Sequence, residues 1–222
     1  MVLYHGSDHI IQRPELKLGK TTNDYGRGFY CTEHVELAKE WACQKATDGF
    51  ANKYEFDMSG LKVCNLEKEP YHILNWLALL TRYRSYWQAQ SIAEEAKDYL
   101  QEQFFVDLAD VDVVIGYRAD DSYFSFAQDF ISGTISLEQL SRAMRLGKLG
   151  EQIVIKSERA FERLMFQDAE VADAEEYYTK KIIRDREARQ AYRNDIKKHS
   201  KVNETLITDI MRGTVSIDEL RI

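Results

Sequence analysis

Three short stretches carry the residues whose types suit chemistry. The first is Tyr4-His5-Gly6-Ser7, a histidine and two small residues closing a strand-like run. The second, residues 24–32, reads Asp24-Tyr25-Gly26-Arg27-Gly28-Phe29-Tyr30-Cys31-Thr32. Glycine at 26 and 28 implies backbone at positive φ or backbone that a ligand approaches closely, and Tyr30 then faces a pocket at a strand edge. The third, Glu151-Gln152-Ile153-Val154-Ile155, opens an apolar strand with an acid and an amide. Taken singly, a histidine, tyrosine or glutamate in such a place is ordinarily structural. Together, at three strand ends, they make a candidate site. Strand side chains alternate, so only one of Glu151 and Gln152 points into it. The reading backs Glu151 as the acid, and with Gln152 in its place the negative charge would be missing. Asp120 and Asp121 follow another apolar strand, where paired carboxylates do acid–base work, hold an arginine, or cap a helix. Metal binding is not expected: His5 and His9 are four apart, but Gly6-Ser7 between them argues against a helix. There is no Gly-x-Gly-x-x-Gly after a strand, so no Rossmann site is expected either.

The elements that position these residues follow from periodicity. Residues 2–7 read as a strand. Thr32 looks like a helix N-cap, with Glu33 and Glu36 in the first turn and Leu37, Ala38, Trp41 and Ala42 at helical spacing. Residues 53–58 and 61–66 alternate around Ser59-Gly60, which predicts a hairpin. Helices are predicted over 72–84 and 88–105, a strand over 112–116, helices over 122–131 and 137–146, and a strand over 152–155. Ser157 caps a short turn, and residues 163–166 read as one more strand. Beyond Asp168 no strand is predicted, only a charged helix over 169–199 and a second over 204–211. Residues 129–140 and 209–220 resemble each other, each a helix end at glycine followed by a capping box, Ser136 with Gln139 and Ser216 with Glu219. This reads as a shared helix-turn-helix solution.

At 222 residues, 44% hydrophobic and 30% charged, the chain has room for one large domain with an appended unit. No apolar run reaches the length of a membrane span, and the first residues lack the regions of a signal peptide, so no membrane partner is expected. Three cysteines without zinc-type spacing read as reduced thiols, which points to the cytoplasm. A formal net charge of −7 argues against a non-specific grip on nucleic acid. Residues 180–201 run the other way, with nine basic residues against three acids. They form either a surface for an acidic partner or a solvated helix laced with pairs such as Asp185–Arg189, and the interleaved acids favour the latter.

The three motifs, in this order, resemble the ADP-ribosyltransferase superfamily. The similar branch carries a His-Tyr-Glu triad and includes diphtheria-type toxins and poly(ADP-ribose) polymerases. The chain looks most like a family of small bacterial toxin-like domains of that fold. The resemblance implies an α+β fold with two small sheets around an NAD cleft, over residues 1–166. It also implies a helical insert at about 67–110, and residues 167–222 form a C-terminal helical extension. It implies a mono-ADP-ribosyltransferase, with NAD⁺ as co-substrate and no metal. Breaking the nicotinamide–ribose bond generates an oxocarbenium-like cation, so a site of this kind needs an anion near the ribose. By the resemblance, Glu151 supplies it and binds the ribose 2′-hydroxyl, Tyr30 stacks on the nicotinamide, and His5 holds the adenosine ribose. The Gly6 backbone pairs with the carboxamide, beside Ser7 and Gly28. Trp41 takes the place of a second stacking tyrosine, and Ala38 that of a serine found in polymerase-type members. Arg27 meets the pyrophosphate or is simply exposed, and Asp120-Asp121 match an Ala-Asp-Asp of the family. The acceptor is a macromolecule, protein rather than nucleic acid, and an antitoxin or immunity protein is a further expected partner. NAD⁺ hydrolysis is the alternative activity. An inactive NAD- or ADP-ribose-binding module is the reading favoured if Gln152 faces the cleft.

Overall fold

Short apolar strands build two small sheets that share a core, and helices cover the rest. The computed structural model describes residues 1–84, 91–146, 150–198 and 204–215. The strands are β1 (Val2–Ser7), β2 (Phe29–Cys31), β3 (Gly49–Phe56), β4 (Val63–Asn65), β5 (Val113–Gly116), β6 (Gln152–Ile155) and β7 (Leu164–Ala172). The helices are α1 (Val35–Ala42), α2 (Ile73–Tyr83), α3 (Ser91–Phe104), α4 (Asp121–Ile131), α5 (Leu137–Ala143), α6 (Glu158–Phe161), α7 (Ala174–Lys198) and α8 (Ile207–Met211). One sheet runs β1-β3-β7 and the other β2-β6-β5-β4. The fold is α+β.

Leu3, Phe29, Cys31, Tyr54, Ile153 and Ile155 fill the space between the sheets. On its other face the second sheet meets the helices, where Val114 and Val154 pack with Trp76 and Leu77 of α2 and Phe126 and Phe130 of α4. Every residue of β5 and β6 is therefore buried. A strand covered on both faces shows no hydrophobic alternation, which matters for the site below.

Three local expectations are corrected. The hairpin across Ser59-Gly60 does not form: β3 lies in the first sheet, while β4 joins the second and pairs parallel with β5. A parallel pair needs a long crossover, usually helical, and α2 and α3 are that crossover. The last strand does not stop at 166. β7 runs on to Ala172, pairing along β3 as far as Gly49, and the long helix starts only at Ala174. Asp168 and Glu170 are exposed on this edge strand, which suits an edge that must not recruit another strand but removes the apolar signal. Thr32 is not the cap of α1. His34 holds that position, and Thr32 instead pairs with Tyr4 while its Oγ1 accepts from His34 N at 3.2 Å.

Other boundaries hold closely. Ser136 and Gln139 form a capping box, and Ser157 Oγ accepts from Ala160 N. Gly133 and Gly213 both sit at positive φ, 74° and 67°, so the two similar segments end their helices the same way. The box expected at Ser216 and Glu219 lies outside the described residues. Cys31, Cys43 and Cys64 are free, buried thiols. Among the described residues no helix is long and apolar enough to cross a membrane.

The lower edge of the second sheet is pinned by one carboxylate. Asp112 accepts from Lys62 N at 2.7 Å, from Ser157 Oγ at 2.5 Å and from Arg159. These partners, Arg159 first, hold its pKa down at about 2. A depressed carboxylate pKa adds stability above its unfolded value that is lost as pH falls through the folded one. Between about pH 4 and pH 2, wild type is expected to lose stability that Asp112→Asn already lacks at neutral pH. Urea midpoints across that range measure the difference, and parallel curves would contradict it.

Candidate functional site: a polar cleft at the seam of the two sheets

The sheets touch at one bridge. Tyr4 N donates to Thr32 O at 2.7 Å and Thr32 N to Tyr4 O at 3.0 Å. Backbone groups of a strand point alternately to its two sides, so the amide and carbonyl of Gly6 face the same side as those of Tyr4, where the strands have parted. His5 closes the seam: its Nδ1 lies 2.7 Å from the Tyr30 carbonyl oxygen. A carbonyl only accepts, so Nδ1 carries the proton and Nε2 remains as an acceptor. Burial lowers the His5 pKa to about 4, so the ring is neutral at pH 7. It stacks on Phe29 with centroids 4.1 Å apart. Beneath it, fully buried Asn52 donates to His5 O and Ser7 Oγ and accepts from Ile11 N. A Cβ on Gly6 would lie 2.1 Å from the Ala38 carbonyl oxygen. Only glycine lets α1, with Ala38 and Trp41, sit this close to β1.

Tyr30 forms the facing wall. Its hydroxyl donates to Gly26 O at 2.5 Å and accepts from Tyr25 N at 3.1 Å, and burial pushes its pKa well above the usual value. Gly26 makes the turn at φ 73°. Gly28 has a different reason to lack a side chain: a Cβ there would meet Val154 at 2.6 Å. Lys156 Nζ donates to Tyr25 O and Arg27 O from below. Asp24 is buried, pairs with Arg84 at 2.8 Å and accepts from Ala119 N at 2.9 Å. The loop before Tyr30 is thus held at four points, and the ring is fixed.

The third motif resolves through register. Tyr30 pairs with Val154 on β6. Ile153 and Ile155 fill the core between the sheets, so Val154 and Gln152 share the opposite face with Tyr30. Gln152 is 6% exposed and lines the cleft, with its Oε1 buried and lacking a hydrogen-bond partner. Glu151 precedes the strand and is exposed, outside the lining of the cleft. The residue backed from the sequence is therefore not the one brought to His5 and Tyr30; its neighbour is.

Two hollows, of about 480 and 520 Å³, meet at His5, Gly6, Asn23, Tyr30 and Trp41. Both fall in the size range of small-molecule sites. Ser7 and Gly28 line the second hollow, and Asp120 and Gln152 the first. Arg27 is exposed and lines neither. Asp121 starts α4, and its side chain lies outside the described residues. Asp120 caps α4 toward Tyr123 N, and burial raises its pKa. One face of the Trp41 ring is covered by the Arg118 guanidinium at 3.3 Å, a close cation–π contact. Among the described residues no group of three or more His, Cys, Asp or Glu could hold a metal ion.

Sequence reasoning missed Asn23, Asn52, Arg84 and Arg118, which no motif marks, and assigned no role to Asp24 at the head of the second motif. It also missed that the extension enters the site. Lys181, Ile182, Asp185 and Arg189 of α7 line the first hollow. The expected Asp185–Arg189 pair is present at 2.9 Å, but on the cleft side. Tyr177, Ala188 and Tyr192 root α7 in the body, with Tyr192 OH donating to Asp129 at 2.6 Å.

Residues 1–166 match the protein family described as "Protein of unknown function (DUF3990)", a span that holds every lining residue of the cleft except those of α7. No curated protein and no solved structure matches the chain.

Proposed function

We propose, for a chain that belongs to the DUF3990 family, that the cleft binds NAD⁺ and transfers its ADP-ribose to a macromolecular acceptor, on a fold of the ADP-ribosyltransferase kind. The observation that carries the reading is the His5–Tyr30 seam. There a neutral histidine tied to the Tyr30 carbonyl presents the free peptide edge of Gly6 opposite the fixed Tyr30 ring. That edge offers one donor and one acceptor, the complement of a carboxamide. The Tyr30 face suits a planar, cationic nicotinamide. His5 Nε2 accepts from a ribose hydroxyl, and the orphan amide of Gln152 hydrogen-bonds the hydroxyls of the reacting ribose.

In the reaction the bond from ribose C1″ to the nicotinamide nitrogen breaks, and its electron pair leaves with nicotinamide. The acceptor nucleophile bonds to C1″ and gives up a proton. Positive charge develops on the ribose between these events. Gln152 contributes only a dipole there. In the first hollow Asp120 is the lining carboxylate that no arginine hydrogen-bonds among the described residues, whereas Asp24 is paired with Arg84 and Asp185 with Arg189. Asp120 is thus the group to stabilise that charge and take the proton.

A second reading rests on the same register. With an amide where the resemblance calls for a carboxylate, the cleft binds NAD⁺ or ADP-ribose without cleaving it. Nicotinamide release by the full chain, with and without cell lysate, separates the readings. Lysate-dependent release with labelled product supports transfer, and release without lysate supports hydrolysis. Binding of NAD⁺ without release leaves the binding module, and absence of binding overturns both.

A further inference from the structure

We propose that Arg118 and Lys181 form a diphosphate subsite across the first hollow, so that α7 supplies half of the grip on the dinucleotide. This rests on the reading of the cleft as an NAD⁺ site, and it moves to these residues the pyrophosphate contact that the resemblance offered for Arg27.

Four cations line that hollow: Arg84, Arg118, Lys181 and Arg189. Two are neutralised in place, Arg84 by Asp24 and Arg189 by Asp185. Arg118 and Lys181 make no ion pair among the described residues. Arg118 Nη1 is buried and has no hydrogen-bond partner. The carboxylates of Asp120, Asp24 and Glu40 act on it only through space, and burial, the larger effect, lowers its pKa to about 9. A guanidinium nitrogen held out of water without a hydrogen bond is costly. Stacking on Trp41 fixes its plane, so the unpartnered Nη1 is already oriented. A guanidinium matches the oxygens of a phosphate, and a lysine ammonium lining the same hollow serves as a point charge for the other phosphate.

The chemistry selects the occupant. Two lining cations without an ion pair among the described residues attract the only anionic segment of the dinucleotide. That segment lies between the two riboses, next to the parts assigned to His5 and Gln152. Arg118 comes from the loop after β5, within the family span, whereas Lys181 comes from α7, outside it. The subsite therefore exists in this chain only when both are folded together.

Calorimetric titration of the full chain with ADP, inorganic pyrophosphate and nicotinamide riboside tests this. Lys181→Ala and Arg118→Lys are each expected to weaken ADP and pyrophosphate by about tenfold, the loss of one charge-assisted contact. Nicotinamide riboside, which lacks phosphate, is expected to bind all variants alike, and Lys197→Ala serves as a charge control. Lys181 is half-exposed, so its variant keeps the test valid if Arg118→Lys folds poorly. Wild type that binds neither ADP nor pyrophosphate, or variants that bind them unchanged, would overturn the subsite. If NAD⁺ is cleaved and ADP affinity ignores both residues, the function stands and the subsite falls. If ADP affinity drops as expected but NAD⁺ is neither bound nor cleaved, the subsite stands and the proposed function falls.

Discussion

Gln152→Ala is expected to lower nicotinamide release by about a hundredfold, the usual effect of removing one aimed hydrogen-bonding group. Glu151→Gln is expected to leave it within about twofold, as befits an exposed residue beyond that reach. The contrast follows from register alone. Gln152 is buried on the face it shares with Tyr30, and its Oε1 has no hydrogen-bond partner among the described residues. A buried polar atom left without a hydrogen bond is costly, so one aimed into a cleft marks where a ligand completes it. Gln152→Glu extends the test, since it sets a carboxylate where the cation would form. Faster release in that variant would identify Asp120 as a weaker substitute for a missing charge. Collapse on Glu151→Gln, with Gln152→Ala unaffected, would overturn the assignment and restore the acid first suggested by the sequence. If wild type binds NAD⁺ without releasing nicotinamide, loss of binding in Gln152→Ala still locates the site.

Arg184→Ala is expected to destabilise the protein by about 3–5 kcal/mol, the range for stripping one partner from a buried pair. Arg184 of α7 and Glu40 of α1 are 17% and 9% exposed, and they hold the two cleft-lining helices together. Removing the arginine leaves a buried carboxylate without its counter-ion. For a chain of this size that corresponds to a melting temperature lower by about 10 °C. The double change Glu40→Gln with Arg184→Met removes both charges and is expected to recover most of the loss. Lys180→Ala, one turn away, breaks half-exposed, solvent-screened pairs with Glu36 and Glu176 and is expected to leave the melting temperature almost unchanged. A loss at Arg184 no larger than at Lys180 would show that α7 is held by its apolar face alone. These melts, read beside ADP affinity, separate a loosened helix from a lost phosphate contact.

Much of the fold was legible where one force dominates a short segment. The helix over 73–83 has apolar residues at helical spacing and nothing to oppose them. The caps at Ser136 and Ser157 are local hydrogen bonds that no distant residue alters. The strands 2–7, 113–116 and 152–155 stand out by their apolar content. Pairing was less legible. The alternation on either side of Ser59-Gly60 shows two strands, but it does not say that each prefers a different sheet. β7 beyond 166 is carried by ladder bonds to β3, while its exposed charges read as a helix surface.

The chain's own residues thus determined that a histidine with glycine, a tyrosine behind two glycines and a polar strand start would lie at strand ends, because these motifs are local. The tertiary structure alone decided which of Glu151 and Gln152 is turned inward. All four residues of β6 are buried, so hydrophobicity carries no parity, and the register against Tyr30 sets the face. It alone decided, too, that Arg118 and Lys181 line one hollow while Arg27 stands outside. Charges 63 positions apart in sequence come to line one hollow only when α7 packs on α1, and no spacing along the chain records that.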